Sequence, residues 1–549
     1  MATIASDVLS EDPLQHGPKG PRFDYEMPAA ARWFYFGLVV AGLLYAGWSV
    51  MTDTQGVGET LALGVFAFLG LALLIALGFE FVNGFHDTAN AVATVIYTNS
   101  LPAHVAVVWS GFFNFLGVLT ASGAVAYSII TLLPVDLILN VGSGAGFAMI
   151  FALLLAAVIW NLATWFVGLP NSSSHTLIGS VLGVGVANQL IQAGSKGGTA
   201  GVDWSQAGKV LTGLWMAPLI GFIAALVLLL LMKVVLRNPK LYEAPMPKTA
   251  PPRGIRAALI FTCTAVSFSH GSNDGQKGMG LIMLILIGCA PTAYALNRTL
   301  PASATPAFVQ TATTAATAFE THAGVTVPAD EARTILTHAL QERKAGKPEV
   351  FAAIGSVSRE LASNVEGFGS ISAVPASATA NVRNDMYLVL DASRLATKTP
   401  PAGFSAAELQ VIKEYQGKLE AGTRFIPLWV KIAVALALGL GTMVGWKRIV
   451  ITVGERIGKQ HMTYGMGASA ELVAAGTILA ADRFGLPVST THILSSGVAG
   501  AAVASGAGLQ ARTIRNLALA WLLTLPVAMT LSGALYWLLL TIARAMGKA

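Results

Sequence analysis

Charge is what this sequence has least of. Asp, Glu, Lys and Arg make up 11% of its 549 residues against 54% of hydrophobic types. That is too little polar material to cover a soluble body of such length, and the chain belongs in a bilayer. Cysteine is nearly absent too. Cys263 and Cys289 both fall in or beside one apolar segment, with neither an oxidised partner nor metal-ligand spacing, which leaves them as small apolar fillers. No Gly-x-x-x-x-Gly-Lys-Ser/Thr and no His-Glu-x-x-His occurs, which removes a nucleotide-driven pump of that type and a zinc protease. A hydrolase built on Ser172 or Ser489 with the nearby histidine lacks an orienting acid, so no enzyme, cofactor or resident metal is expected. The first 32 residues hold Asp7, Glu11, Asp12, Asp24 and Glu26 among few bases. With no basic start leading into an apolar core, no cleaved signal is expected, and the first span serves as its own insertion signal.

Apolar length is abundant. Runs near 33–52, 61–82, 104–133, 143–167, 208–236, 255–289, 426–445, 465–482 and 512–543 approach or exceed the roughly 20 residues that cross a hydrocarbon core. They predict an all-α polytopic membrane protein of about 10–12 membrane segments. The formal charge of +6 would suit an anionic partner such as nucleic acid, but the bases gather beside the spans. Arg237, Lys240, Lys248, Arg253 and Arg256 fill one connection, and Lys447, Arg448, Arg456 and Lys459 another. Short loops of this kind stay cytoplasmic, and no nucleic-acid partner is expected.

Two phrases occur twice. Gly168-Leu169-Pro170-Asn171-Ser172-Ser173-Ser174-His175 returns as Gly485-Leu486-Pro487-Val488-Ser489-Thr490-Thr491-His492, at an offset of 317. Asn83-Gly84-Phe85-His86-Asp87-Thr88-Ala89-Asn90 returns as His270-Gly271-Ser272-Asn273-Asp274-Gly275-Gln276-Lys277, matched at Gly84/Gly271 and Asp87/Asp274, at an offset of 187. The difference of 130 (317 − 187) is the size of an insertion into the second copy, between 280 and 485. The chain divides into a polar leader (1–32), an extra span (33–56), a first repeat (57–240), the start of a second (241–290), a soluble, mainly helical insert (291–424) and the remainder of the second repeat (425–549). The insert carries 12 Lys+Arg against 12 Asp+Glu. Basic loops ahead of the span before it and behind the span after it place it on the outer face.

A straight helix over 60–98 would run to about 58 Å, far past a hydrocarbon core of about 30 Å, so a break is expected at the polar phrase 83–90. Backbone freed at that depth survives only where it lines a cavity or is buried in protein. The stretches after the two Pro-Ser phrases, ending near 191 and 505, are short and polar-headed and predict re-entrant hairpins. Five elements per copy with an odd number of crossings would invert the copies, and inverted repeats whose broken helices meet at the midplane recur in secondary transporters.

Charged groups inside a bilayer mark a pathway or a binding site by default. Asp87 and Asp274 occupy equivalent places beside Asn83, Asn90, Asn273 and Gln276, and Lys277 adds a positive charge. Carboxylate and amide oxygens suit a hard cation, whereas Lys277, amide hydrogens and freed helix starts suit an oxyanion; the alternative is that these groups cap a broken helix. Ser172, Ser173 and Ser174, and Ser489, Thr490 and Thr491, set hydroxyls at what reads as a helix start, where an anion binds without an arginine. A single copy would read as an N-cap; two copies shift the reading toward a site. His175 and His492 could donate to an oxyanion, relay protons or cap the hairpin, and His86 is a further proton candidate. Glu80 and Glu471 are each a coupling-ion ligand or the buried partner of an unseen base, Glu471 being favoured because Gly465, Gly467 and Ser469 allow close packing.

At these four phrases the sequence resembles the inorganic phosphate transporter (Pit) family, whose duplicated signature is of the Gly-x-Asn-Asp and Gly-Leu-Pro-x-Ser-x-Thr-His types. The similarity covers about 60–290 and 425–545. It implies a secondary carrier for inorganic phosphate with inverted repeats, its site lined by Asp87, Asn90, Asn273, Asp274, Ser172 to Ser174 and Ser489 to Thr491. The wording Phe85-His86-Asp87-Thr88-Ala89-Asn90-Ala91 resembles the bacterial low-affinity branch, which implies proton coupling and phosphate carried as a neutral complex with a divalent metal; sodium-coupled members more often have Asn before the Asp.

The expectation is therefore a multi-pass symporter of the bacterial inner membrane for phosphate and protons. Asn83, His86, Asp87, His175, Asp274, Glu471 and His492 are its coupling-ion or proton candidates, and Lys277 joins the phosphate-binding set. A sodium-coupled carrier, a sulfate or other oxyanion permease, a passive channel and a membrane-anchored sensor or attachment protein are the rivals. Homo-oligomerisation is left open.

Overall fold

With no water to turn to, backbone amides inside a bilayer are satisfied within helices or closed barrels, and this chain takes the helical route. The computed structural model describes residues 28–130, 132–133, 135–196, 202, 204–246, 249–398 and 403–547, excepting the side chains of 88–90, 135–136, 192–196 and 205. Helix α1 (Ala29–Gly56) precedes α2 (Leu63–Tyr97), α3 (Ala103–Thr120), two short helices α4 (Ala124–Ile130) and α5 (Val135–Leu139), α6 (Gly144–Phe166), α7 (Ser173–Lys196) and α8 (Trp204–Val235). The second copy opens with α9 (Arg253–Cys289) and the single turn α10 (Pro291–Tyr294). The insert folds as α11 (Thr305–Ala323), α12 (Ala329–Glu342), α13 (Pro348–Gly367), α14 (Ala376–Lys398) and α15 (Ala406–Thr423). The second copy then resumes with α16 (Leu428–Thr442), α17 (Lys447–Glu455), α18 (Tyr464–Arg483), α19 (Thr490–Ser505) and α20 (Ala511–Ala545). Among the described residues the only β pairing is an isolated bridge between Gly458 and Leu509.

Six described helices, α1, α2, α3, α6, α8 and α20, are long and apolar enough to cross a membrane, and α15 with α16, bent by 70°, would make a seventh. This is fewer than the 10–12 segments expected from sequence. The difference lies in α7, α9, α18 and α19, which are short or polar because they carry Ser, His, Asp, Lys and Glu side chains. They do not need to be apolar all round. The polar half of α9 and nearly all of α19 are buried, with α7 packed on α20 and α19 on α8, so protein shields them from lipid.

The expected breaks are absent as well. Both polar phrases lie within unbroken helices of 35 and 37 residues, on the order of 53–55 Å at the α-helical rise. Facing helices meet the polar side chains, so the backbone never needs to open, and a helix longer than the hydrocarbon core is accommodated by tilt. Non-helical backbone occurs instead at 169–172 and 486–489, just ahead of α7 and α19.

Packing partners are exchanged between the copies. The duplication equates α2 with α9, α3 with α16, α6 with α18, α7 with α19 and α8 with α20. Accordingly α2 packs on α16 as α9 does on α3, α7 on α20 as α19 on α8, and α6 on α20 as α18 on α8. The repeated glycines sit at two of these crossings. A Cβ on Gly84 would lie 2.3 Å from Leu438 O, and one on Gly271 would lie 2.1 Å from Asn114 O.

The insert builds its own core, in which Phe308, Phe319, Leu336, Ile354, Leu361, Met386, Tyr415 and Leu419 are buried. Asn297 closes its neck, donating from N to Gly422 O at 2.8 Å and from Nδ2 to Ala421 O at 2.9 Å. Buried Arg383 on α14 donates to Ile138 O in α5 at 2.9 Å, satisfying a carbonyl that a helix end leaves without an internal partner.

Gly271→Ala drives a methyl group into the Asn114 carbonyl and should cost about 1–3 kcal/mol, read as earlier thermal loss of the monodisperse peak in size-exclusion chromatography. Gly254→Ala, where nothing lies within 4 Å, is the control and should leave that profile unchanged.

Candidate functional site

Four sequence phrases far apart in the chain come together where the middles of α2 and α9 meet the starts of α7 and α19. Asp87 and Asp274 are 2% and 0% exposed. Their Oδ2 atoms lie 3.1 and 3.3 Å from the same hydroxyl, Ser173 Oγ. His270 Nε2 lies 3.7 Å from Asp87 Oδ2 and 3.4 Å from Asp274 Oδ2. One turn further along α9, Lys277 Nζ pairs with Asp274 Oδ1 at 2.7 Å. From the other copy, Thr491 Oγ1 donates to Asp87 Oδ1. Buried charges are tolerated when paired and hydrogen-bonded in this way.

The Pro-Ser loops explain why these hydroxyls face inward. Ser172 Oγ accepts from His175 N at 3.1 Å and Ser489 Oγ from His492 N at 3.1 Å, so the first hydroxyl of each run is an N-cap. The capping reading thus holds for Ser172 and Ser489, and the next two hydroxyls are free for other work. Ser173 and Thr491 take the carboxylates, Ser174 Oγ donates to Val488 O at 2.6 Å across the two loops, and Thr490 Oγ1 is buried with no hydrogen-bond partner. His175 Nδ1 lies 2.9 Å from Ser172 Oγ. Its ring sits 4.4 Å from that of His492, which stacks on Trp521 at 4.2 Å.

The structure sorts the remaining candidates. His86 Nδ1 is 3.5 Å from Asp87 Oδ1, and its Nε2 is 3.3 Å from Thr164 Oγ1, so its ring joins the cluster to α6. Asn83 Nδ2 donates to Glu80 Oε2 at 3.4 Å, one turn before Asp87. The Asn273 amide is spent on the second loop, donating to Leu486 O at 3.2 Å and accepting from Val488 N at 3.5 Å. It braces the site more than it lines it. Glu471 is not brought in: it accepts from Thr262 Oγ1, 12 residues ahead of Asp274 on α9, or about 18 Å along the helix. The Asn90 side chain lies outside the described residues.

His270 is the residue that sequence reasoning missed. It aligns with Asn83 in the duplication and precedes Asp274 by four residues, which puts both on one helix face. Asn114 Oδ1, 2.8 Å from His270 Nδ1, orients the ring, and Asn114 Nδ2 in turn donates to Thr442 Oγ1 at 3.1 Å. No metal-ligand set was expected. Yet one ligand atom each from Asp87, His270 and Asp274 lies within 4.8 Å of the others, a set of two carboxylate oxygens and one imidazole nitrogen that a divalent cation or a shared proton can bridge.

Comparison with known proteins bears on what this cluster serves. A phosphate transporter family model matches residues 83–532, a span that contains all four phrases. The low-affinity inorganic phosphate transporter PitA of Escherichia coli (strain K12) is 42% identical over 494 residues, covering 85% of this chain and 97% of that protein. PitB of the same organism is 40% identical over 505 residues, covering 87% and 99%, and the low-affinity inorganic phosphate transporter of Buchnera aphidicola subsp. Acyrthosiphon pisum (strain APS) is 39% identical over 482, covering 86% and 96%. This multi-pass chain, with its apolar helices wrapped around a duplicated polar centre, belongs to the phosphate transporter family, whose members are carriers and not enzymes.

Proposed function

We propose that the chain is a secondary active symporter that imports inorganic phosphate across the plasma membrane, coupled to protons and carrying phosphate together with a divalent cation as a neutral complex. The observation that supports this most is Ser173 Oγ within reach of both Asp87 Oδ2 and Asp274 Oδ2. A hydroxyl has one proton and serves one carboxylate at a time, and Lys277 answers Asp274 alone, so the pair requires a further positive partner. His270, or a cation among Asp87, His270 and Asp274, supplies that partner.

Lys277 neutralises only one of the two carboxylates, and phosphate would be repelled by the charge that remains, so it enters with the positive charge that balances it. Ser173, Thr490 and the starts of α7 and α19 offer it donors, Lys277 offers a cation, and the helix dipoles favour its charge. Protons reach Asp87 through His86, which spans to Thr164. The two copies lie inverted in the bilayer, and one moves against the other around the shared site. The exchanged helix pairing supports that arrangement, and the basic loops support an outer-face insert.

Asp87→Asn and Asp274→Asn should each lower phosphate uptake by at least about a hundredfold, the scale of breaking a buried charge pair, while the protein remains in the membrane fraction; undiminished uptake by either variant removes that carboxylate from the mechanism. In proteoliposomes, an imposed proton gradient should drive accumulation, a sodium gradient alone should not, and excess sulfate should leave labelled phosphate uptake unaffected. Sodium-driven accumulation, or competition by sulfate, would replace this reading with one of its rivals.

A further inference from the structure

Away from the buried cluster, a cavity of about 720 Å³ lies between the insert and the membrane-embedded helices. Its lining is strongly one-signed. Lys209 and Arg483 reach it from the membrane side, and Arg343, Arg394, Lys398 and Arg424 from the insert. Against these six bases stand two acids, Asp391 and Glu420, so the wall carries a formal charge of +4 (6 − 2). The acids are already engaged: Glu420 pairs with Arg394 and, at 3.0 Å, with Arg424, which also lies 3.7 Å from Asp391. Arg424 is held further by its guanidinium over the Tyr127 ring, 5.5 Å from the centroid. Lys209, Lys398 and Arg483 are exposed.

The floor of the cavity is the segment that leads into the second hydroxyl run. Gly485 and Leu486 line it, three residues before Ser489. The same Leu486 carbonyl accepts from Asn273, the neighbour of Asp274. Asp482, at the end of α18, accepts from Ser272 Oγ at 2.7 Å and Gln276 Nε2 at 2.5 Å, and Gln276 Oε1 accepts from Val125 N at 3.0 Å. Leu486, which lines the basic chamber, is thus latched to the residue next to a buried carboxylate.

We propose that this chamber is an oxyanion antechamber: it gathers inorganic phosphate on Lys209, Lys398 and Arg483 and holds it above the Gly485–Ser489 segment before passage to the inner cluster. This rests on the phosphate-import reading and adds a second, outer site to it. A low-dielectric cleft lined with one sign of charge focuses its field and raises the local counter-ion concentration by tenfold or more. The insert thereby becomes part of the transport path, supplying eight of the chamber's 19 lining residues.

The test is radiolabelled phosphate uptake by intact cells expressing the full chain with Lys209→Gln, Lys398→Gln and Arg483→Gln combined, beside the charge-keeping set Lys209→Arg, Lys398→Arg and Arg483→Lys. The neutral set should raise KM for phosphate by about tenfold with little change in maximal rate, and the charge-keeping set should restore KM. Raising KCl should raise KM of the unaltered protein, because salt screens exposed charges, and should leave KM of the neutral set flat. An unchanged KM in the neutral set, or the same salt dependence in both proteins, overturns the antechamber while leaving phosphate import standing. Absence of phosphate uptake by the unaltered protein would instead overturn the import reading itself.

Discussion

Two carboxylates buried against one hydroxyl form an arrangement that low-dielectric surroundings resist, and much of this molecule is organised to hold it. Asp87 is met by Thr491 from the opposite copy, and Asp274 by Lys277 from the next turn of its own helix. His270 is aimed between them by Asn114, which is anchored on Thr442. Asn114 and Thr442 are satisfied in turn, Thr442 Oγ1 donating to Leu438 O at 2.9 Å, while His270 Nε2 and Lys277 Nζ meet the carboxylates as charge partners. Because the members come alternately from the first and second copies, the cluster exists only when both halves are docked. Docking in turn depends on Gly84 and Gly271, where helices approach so closely that a methyl group has no room.

Much of this was legible before any coordinates. The matched phrases identified the carboxylates and hydroxyls that converge, because duplication marks positions that matter in both copies whatever their local structure. The division of labour among the hydroxyls was not legible: one sequence pattern, Ser-x-x-His, serves both an N-cap and a site, and only the geometry shows that Ser172 and Ser489 cap while Ser173 and Thr491 turn to the carboxylates. Asn273 reads in sequence as an amide beside a carboxylate, and its use as a brace for the backbone of Leu486 and Val488 depends on a loop more than 200 residues away.

One mistaken inference hid a residue. Hydrocarbon thickness argued for a helix break at 83–90, and inverted repeats with broken helices implied a counterpart in the second copy. A broken segment has no fixed four-residue face on which His270 and Asp274 would meet. Once α9 is continuous, their spacing of one turn makes them neighbours. Glu471 lies apart from the cluster for the complementary reason. Its glycine-rich approach does allow close helix packing, as the tight fit of Gly467 against Thr94 shows, but the helix face it occupies meets Thr262 at another depth. Composition can report that a helix packs closely, not where along its neighbour it does so.

The neck at Asn297 has a consequence for how such a molecule came to be. With Asn297 near the start of the guest hydrogen-bonded to Ala421 and Gly422 near its end, its 130-odd residues leave and rejoin the host at almost the same point in space. An arrangement with adjoining termini lets a whole folding unit be spliced in or lost without moving the elements on either side. The host keeps its own pairing of helices, and the guest keeps its own core. Accretion at a single corner is thus built into the architecture.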